Sequence, residues 1–212
     1  MFKSWFQAMV AGMLFCCALS AAAGLPFRAA GRIYMGISSP VTPDDFKDTH
    51  LTGWNIGGAV GKSLGERVEL TLDASYNAFS FNIQGYLNTL ELKDLDEFES
   101  SAAGGDADIV TLFLNLKAKF PPPGDQRFVP YLFAEAGLFH FSRDEIQYWG
   151  PIGTDRIEPG VSSTVFGAGA GIGLNIALEE HAAVFMDIGL KAGFTKGEAT
   201  TFIPFRIGVT FN

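Results

Sequence analysis

Four groups of residues in this 212-residue chain have types and spacings that could do chemistry. His140-Phe141-Ser142 sets an imidazole and a hydroxyl two positions apart, and therefore on one face if the segment is a strand. Such a histidine can take the proton of a serine as it attacks an acyl ester, with Asp155 or Glu158 as the carboxylate that orients the ring. The segment 57–63 ends in Gly61-Lys62-Ser63, the close of a phosphate-binding loop. That loop also needs a glycine where Ile56 stands and a helix where Leu64-Gly65-Glu66 reads as a turn, so a nucleotide site is excluded. Arg32, Glu69, Asp73, Lys117, Lys119, Glu135, Asp187, Lys191 and Arg206 are scattered singly through apolar stretches. Their signs nearly balance, as buried charges must. Finally, 84–108 carries Glu91, Asp94, Asp96, Glu97, Glu99, Asp106 and Asp108 against Lys93. Asp94, Asp96, Glu97 and Glu99 are the candidate contacts for a cation or a cationic surface, although the spacing is not that of a dedicated calcium loop.

Composition narrows the classes. A net charge of −8 and a pI near 4.8 lack the basic footprint a nucleic-acid binder needs. With 18% charged and 48% apolar residues the chain is not disordered. After the first two dozen residues no apolar run reaches the roughly 18 positions of a membrane helix. Lys3, the apolar run 8–19 and the small residues Ala21, Ala22 and Ala23 have the three parts of a secretory signal peptide. Cleavage is expected after Ala23 or, alternatively, after Ala21. Residues 1–23 are then the cleaved signal and 24–212 the folded domain. Cys16 and Cys17 both fall in the signal, so the mature chain has no thiol to offer, and His50, His140 and His181 are far apart. No metal and no cofactor are expected.

The elements that must position these residues are strands. Two-residue alternation recurs eight times, near 30–38, 51–62, 67–83, 107–120, 127–142, 162–178, 181–194 and 200–212. In the fourth, Val110, Leu112, Leu114, Leu116, Ala118 and Phe120 share one face, and Thr111, Phe113, Asn115, Lys117 and Lys119 the other. In the sixth, Phe166, Ala168, Ala170, Ile172 and Leu174 oppose Gly167, Gly169, Gly171 and Gly173. The third changes parity at Phe79, Phe81 and Ile83, which predicts a bulge near Ala78. Connections alternate between short and long. Short ones follow the second, fourth and sixth strands, and long ones (39–50, 84–106 and 143–161) follow the first, third and fifth.

The composition of the second face says which one meets lipid. A water-facing surface would be rich in Lys, Glu and Asp, whereas this one is glycine-rich with isolated charges. Small residues there make room for Tyr34, Phe113 and Phe185 in a narrow lumen. The reading is all-β: an eight-stranded antiparallel up-and-down transmembrane β-barrel, closed so that no strand edge is exposed to lipid. Its lumen is filled rather than open. Trp54, Tyr76, Phe166 and Phe194 fit one interfacial girdle, and Phe120, Phe128 and Phe211 the other.

The signal, the segment 130–137, the glycine strand and the ending 203–212 together resemble the small bacterial outer-membrane β-barrel family, the OmpA-like and OmpX-like eight-stranded barrels. The resemblance implies export to the bacterial outer membrane. It also implies partners, namely outer-membrane lipids, lipopolysaccharide and the barrel-assembly machinery, which in that family reads an aromatic-ended last strand. Here Phe205, Val209 and Phe211 would be read, with Asn212 one residue beyond. No nucleic-acid partner is expected. The role this implies is non-enzymatic: membrane integrity, or adhesion to a host or other extracellular surface ligand through the acidic loops. Two alternatives stand beside it. One is a narrow channel for small apolar compounds, as in OmpW-like barrels. The other is a lipid A deacylase, because His140-Phe141-Ser142 is similar to the His-x-Ser of those enzymes, with Arg143 where they carry asparagine.

Overall fold

Alternating apolar and small or polar side chains can bury one set of residues by curling the strands around it, and these strands close on themselves. The structure is a computed structural model that describes residues 29–89, 101–124, 127–149, 155–179, 182–195 and 197–211. The expected signal with its two cysteines, His181 and the acidic residues Asp94, Asp96, Glu97 and Glu99 lie outside the described residues. Eight long strands form the barrel: β1 (Ala29–Thr42), β2 (Gly53–Ser63), β3 (Val68–Phe79), β5 (Ala107–Lys119), β6 (Phe128–Arg143), β9 (Val161–Glu179), β10 (Ala182–Gly193) and β11 (Thr200–Phe211). Each is antiparallel to its neighbours, and β1 closes the ring by pairing with β11, Gly31 opposite Phe211. Among the described residues no helix is long and apolar enough to cross a membrane.

The two faces separate as the period requires. Leu112, Leu114 and Leu116 are 39–54% exposed, while Thr111, Phe113, Asn115 and Lys117 between them are at most 2% exposed. Ile203, Phe205 and Ile207 point outward on β11, and Arg206 and Thr210 inward. Trp54 and Tyr76 meet at the long-loop rim, as do Phe166 and Phe194, whose rings stack. Phe120, Phe128 and Phe211 are exposed at the short-turn rim.

Glycines on β9 exist for their neighbours' sake. A Cβ at Gly173 would lie 2.3 Å from Tyr131 Cζ, and one at Gly171 would lie 2.5 Å from Phe133 Cζ. These rings from β6 reach over the adjacent strand, where glycine leaves space for them.

Two expectations are corrected. β3 has no bulge: its pairing with β5 runs unbroken from Val68 to Phe79. Phe79 keeps the odd-numbered inward parity, and the strand simply ends there. Phe81 makes an isolated bridge to His50, and Ile83 opens a short helix. The long connections are built structures as well. Helix α1 (Asp44–Thr49) follows β1, and helix α2 (Ile83–Thr89) follows β3. A separate sheet joins β4 (Ser101–Gly104), β7 (Ile146–Trp149) and β8 (Arg156–Glu158) above the barrel. Tyr86, Leu87, Ala102, Ile146 and Tyr148 give that superstructure its own small core.

Candidate functional site: the filled lumen and its cap

Alternation along β3 lays out the lumen as a ladder. From the short-turn end its inward residues are Glu69, Thr71, Asp73, Ser75, Asn77 and Phe79, every one at most 2% exposed. On β3 the ladder passes from charged through neutral polar to aromatic, whereas β6 sets Tyr131 and Phe133 at the charged levels.

All nine candidate lumen charges point inward and meet in two groups. Nearest the short turns, Glu69 gathers three cations: Arg32 donates to its Oε1, Lys119 Nζ lies 2.7 Å from Oε2, and Lys117 Nζ stands 4.0 Å from Oε1. One step higher, Lys191 lies 3.0 Å from Glu135 and 3.8 Å from Asp73. Arg206 lies 2.6 Å from Asp187 and 3.9 Å from Asp73. Tyrosines complete the carboxylates, Tyr34 donating to Asp73 and Tyr131 to Asp187, while Asn115 donates to Glu135. Four of these cations also sit over rings. Lys117 is 4.0 Å from the Tyr131 centroid, Lys191 is 5.1 Å from Phe113, Arg206 is 5.0 Å from Phe133, and Arg32 is 5.6 Å from Phe185. An ion pair removed from water repays its desolvation only with this density of second partners.

Above the charges, Ser38, Asn55, Asn77, Ser75 and Thr111 form a neutral hydrogen-bonded layer. Above that, Phe79, Ile109, Phe113, Phe139 and Phe202 pack together with Phe46, which α1 drops into the barrel mouth. Phe46 meets Phe79 edge-on at 5.1 Å and Phe141 at 5.9 Å, and is 4% exposed. His50 fastens this cap: its Nε2 is 2.9 Å from Gly105 O, and its Nδ1 faces Phe46 O and Thr49 Oγ1. Burial holds the His50 pKa below its ordinary 6.5, against the pull of the two carbonyl contacts. In the superstructure Tyr86 donates to Glu158, and burial together with that bond pushes the phenol up to about 12.

The remaining candidates fall elsewhere. His140 and Ser142 share the outer face near the long-loop end, where His140 Nδ1 lies 2.8 Å from Thr164 Oγ1 and Ser142 pairs across strands with Asp108 and Ser162. Asp155 is exposed, and Glu158 is held by Tyr86, Arg143 and Arg156. Phe205 and Phe211 are exposed on the outside of β11, with Val209 half-buried between them. Among the described residues no three metal-ligating side chains cluster. Sequence reasoning missed Phe46 and His50, the cap and its fastening. A lone phenylalanine in a short polar segment is the only trace they leave.

Residues 8–211 match the family described as outer membrane protein beta-barrel domain. A sequence search against curated proteins gives no match. Among solved structures the fold is similar to Neisserial surface protein A, with a TM-score of 0.59 and 12% identity over 86% of this chain and 96% of that one. It is also similar to Ail, the attachment invasion locus protein of Yersinia pestis, with a TM-score of 0.50 and 11% identity over 88% and 100% of the two chains. The outer membrane protein OprG from Pseudomonas aeruginosa likewise gives 0.50, with 13% identity over 87% and 96%.

Proposed function

The chain belongs to the outer-membrane β-barrel domain family, and from that premise we propose that it is a closed, non-enzymatic barrel whose work is done by its long-loop superstructure. The observation that carries this reading is the lumen. Ion pairs, a neutral hydrogen-bonded layer and a phenylalanine cluster succeed one another along it, and a solute would have to break all three. The barrel then anchors the loops, with the long-loop end facing outward in a bacterial outer membrane. The superstructure is packed on its own core rather than splayed into solvent, which suits presentation of a fixed surface. Tyr148 belongs to that core, whereas Trp149 and Ile157 stay 44% and 66% exposed on the small sheet. The names of Neisserial surface protein A and the attachment invasion locus protein agree with a surface role.

Planar-bilayer recording of the purified protein tests the reading. The expected trace has no regular single-channel steps. Steps of uniform size would overturn it in favour of a narrow channel. Release of acyl chains from lipopolysaccharide, lost in Ser142→Ala, would overturn it in favour of the deacylase.

A further inference from the structure

The two groups of lumen charges are not separately neutral. Glu69 alone faces Arg32, Lys117 and Lys119. The upper group sets Asp73, Glu135 and Asp187 against Lys191 and Arg206. Even with the upper excess of negative charge credited to the lower group, one cation lacks a counter-charge inside the barrel.

Buried polar atoms without hydrogen-bond partners gather in the same place. Lys117 Nζ, fully buried, donates to no acceptor among the described residues. Neither do Arg32 Nε, Thr71 Oγ1 and Thr210 Oγ1, on side chains at most 6% exposed. Thr210 stands opposite Arg32 on the neighbouring strand, and Thr71 is the next inward residue after Glu69. Lys117 Nζ, Arg32 Nε and the two threonine hydroxyls thus share the end of the lumen that holds the surplus positive charge with two acceptors that make no hydrogen bond, Asn175 Oδ1 on β9 and Glu69 Oε2, which Lys119 reaches at 2.7 Å as an ion pair. A buried ammonium left in that condition is among the costliest arrangements in a protein. Water could accept the hydrogen bonds but would bring no charge.

We propose that the short-turn end of the lumen is a binding site for a small inorganic anion of the phosphate or halide class, held by Lys117, Arg32 and Lys119 beside Glu69. Lys119 is the most accessible member, its side chain 15% exposed, and marks the way in. The anion takes the donors that Glu69 cannot reach: Lys117 Nζ, Arg32 Nε and the threonine hydroxyls. The upper ion pairs and the phenylalanine cap close the other end, so the anion would enter and leave by the short-turn end alone.

The test is the unfolding midpoint of the purified protein in non-ionic detergent, titrated with phosphate or with bromide at constant ionic strength. The expected result is a saturable rise of several degrees for at least one of the two anions, since a ligand of the native state alone stabilises it by mass action. In Lys117→Met the saturable part disappears, and only the gradual salt effect common to any protein remains. If that variant does not fold, wild-type crystals soaked in whichever anion gives the rise decide instead, with new density expected beside Lys117 Nζ (for bromide, an anomalous peak). Absence of a saturable rise with both anions in the wild type, its persistence in a folded Lys117→Met, or soaked crystals without that density would overturn the proposal.

Discussion

In the half of the lumen nearer the short turns, space is filled by Arg32, Glu69, Lys117 and Lys119. In the half nearer the long loops it is filled by Phe46, Phe79, Phe139 and Phe202. Both halves are lined by buried side chains, but these are fixed in place differently. Every charged residue of the lower half sits on a barrel strand and is tied to partners on other strands, so it cannot leave unless the barrel opens. The upper half depends on Phe46, which belongs to a six-residue helix in a connection and can withdraw without breaking any strand pairing. The lower half is therefore part of the barrel's global stability. The seal at the mouth, held by a connection rather than a barrel strand, is expected to open locally without unfolding the barrel.

Glu69→Ala tests the lower half and should have the largest effect. It leaves three cations with no carboxylate between them, and breaking a buried ionic group from one side costs about 3–5 kcal/mol. Urea unfolding in short-chain lipid vesicles should show that loss as a global shift. Adding Lys117→Met to Glu69→Ala should recover part of it, because the second change removes one of the stranded charges. A Glu69→Ala barrel as stable as wild type would mean that the lower half is solvated and no more integral to the barrel than the cap.

Phe46→Ala addresses the upper half and should separate local from global behaviour. Removing a buried phenylalanine typically costs about 3–5 kcal/mol where the whole fold depends on it. Here the urea midpoint should move little. Hydrogen exchange at the Lys47 amide, which bonds Pro43 O at 3.0 Å, should instead accelerate by an order of magnitude or more. A midpoint shift as large as that of Glu69→Ala would show that α1 is integral to the barrel.

What the sequence reveals divides along the same line. The charged part of the lumen is legible because a strand's parity assigns each charge to a face, and Glu69, Lys117, Asp187 and Arg206 follow it without exception. Strand limits fall within a few residues for the same reason. Two things are not legible. Which charges share a level depends on the stagger between strands, so Arg32 meets Glu69 across a distance no spacing encodes. The superstructure has strands of three and four residues, too short to show alternation, and its helices are held by tertiary contacts to Phe46, Tyr86 and Leu87 rather than by a periodic apolar face. Phe79 misleads because a strand that simply ends looks, in sequence, like a strand that slips.

The smallest expected effect, and the one most specific to the cap, is its response to pH through His50. The ring is buried against Phe46 and Phe81, with Gly105 O on Nε2 and Phe46 O and Thr49 Oγ1 on Nδ1. Asp106 and Arg143 are the charges acting on it from the connection before β5 and the end of β6. Burial lowers its pKa in the closed cap, while in an opened cap the ring titrates near its ordinary 6.5. Above that value both states hold a neutral ring and closure is at full strength. As pH falls through 6.5 the open state binds a proton that the closed state refuses, so closure weakens until the closed state's own lower pKa is reached. Exchange at the Lys47 amide, corrected for its intrinsic pH dependence, should therefore show more frequent opening at about pH 5.5 than at about pH 7.5. In His50→Gln, which keeps a donor for Gly105 O but cannot titrate, the two conditions should give the same opening constant. A pH response that survives in His50→Gln would assign the weakening to Asp106 or another carboxylate and leave His50 as a hydrogen-bonding strut alone.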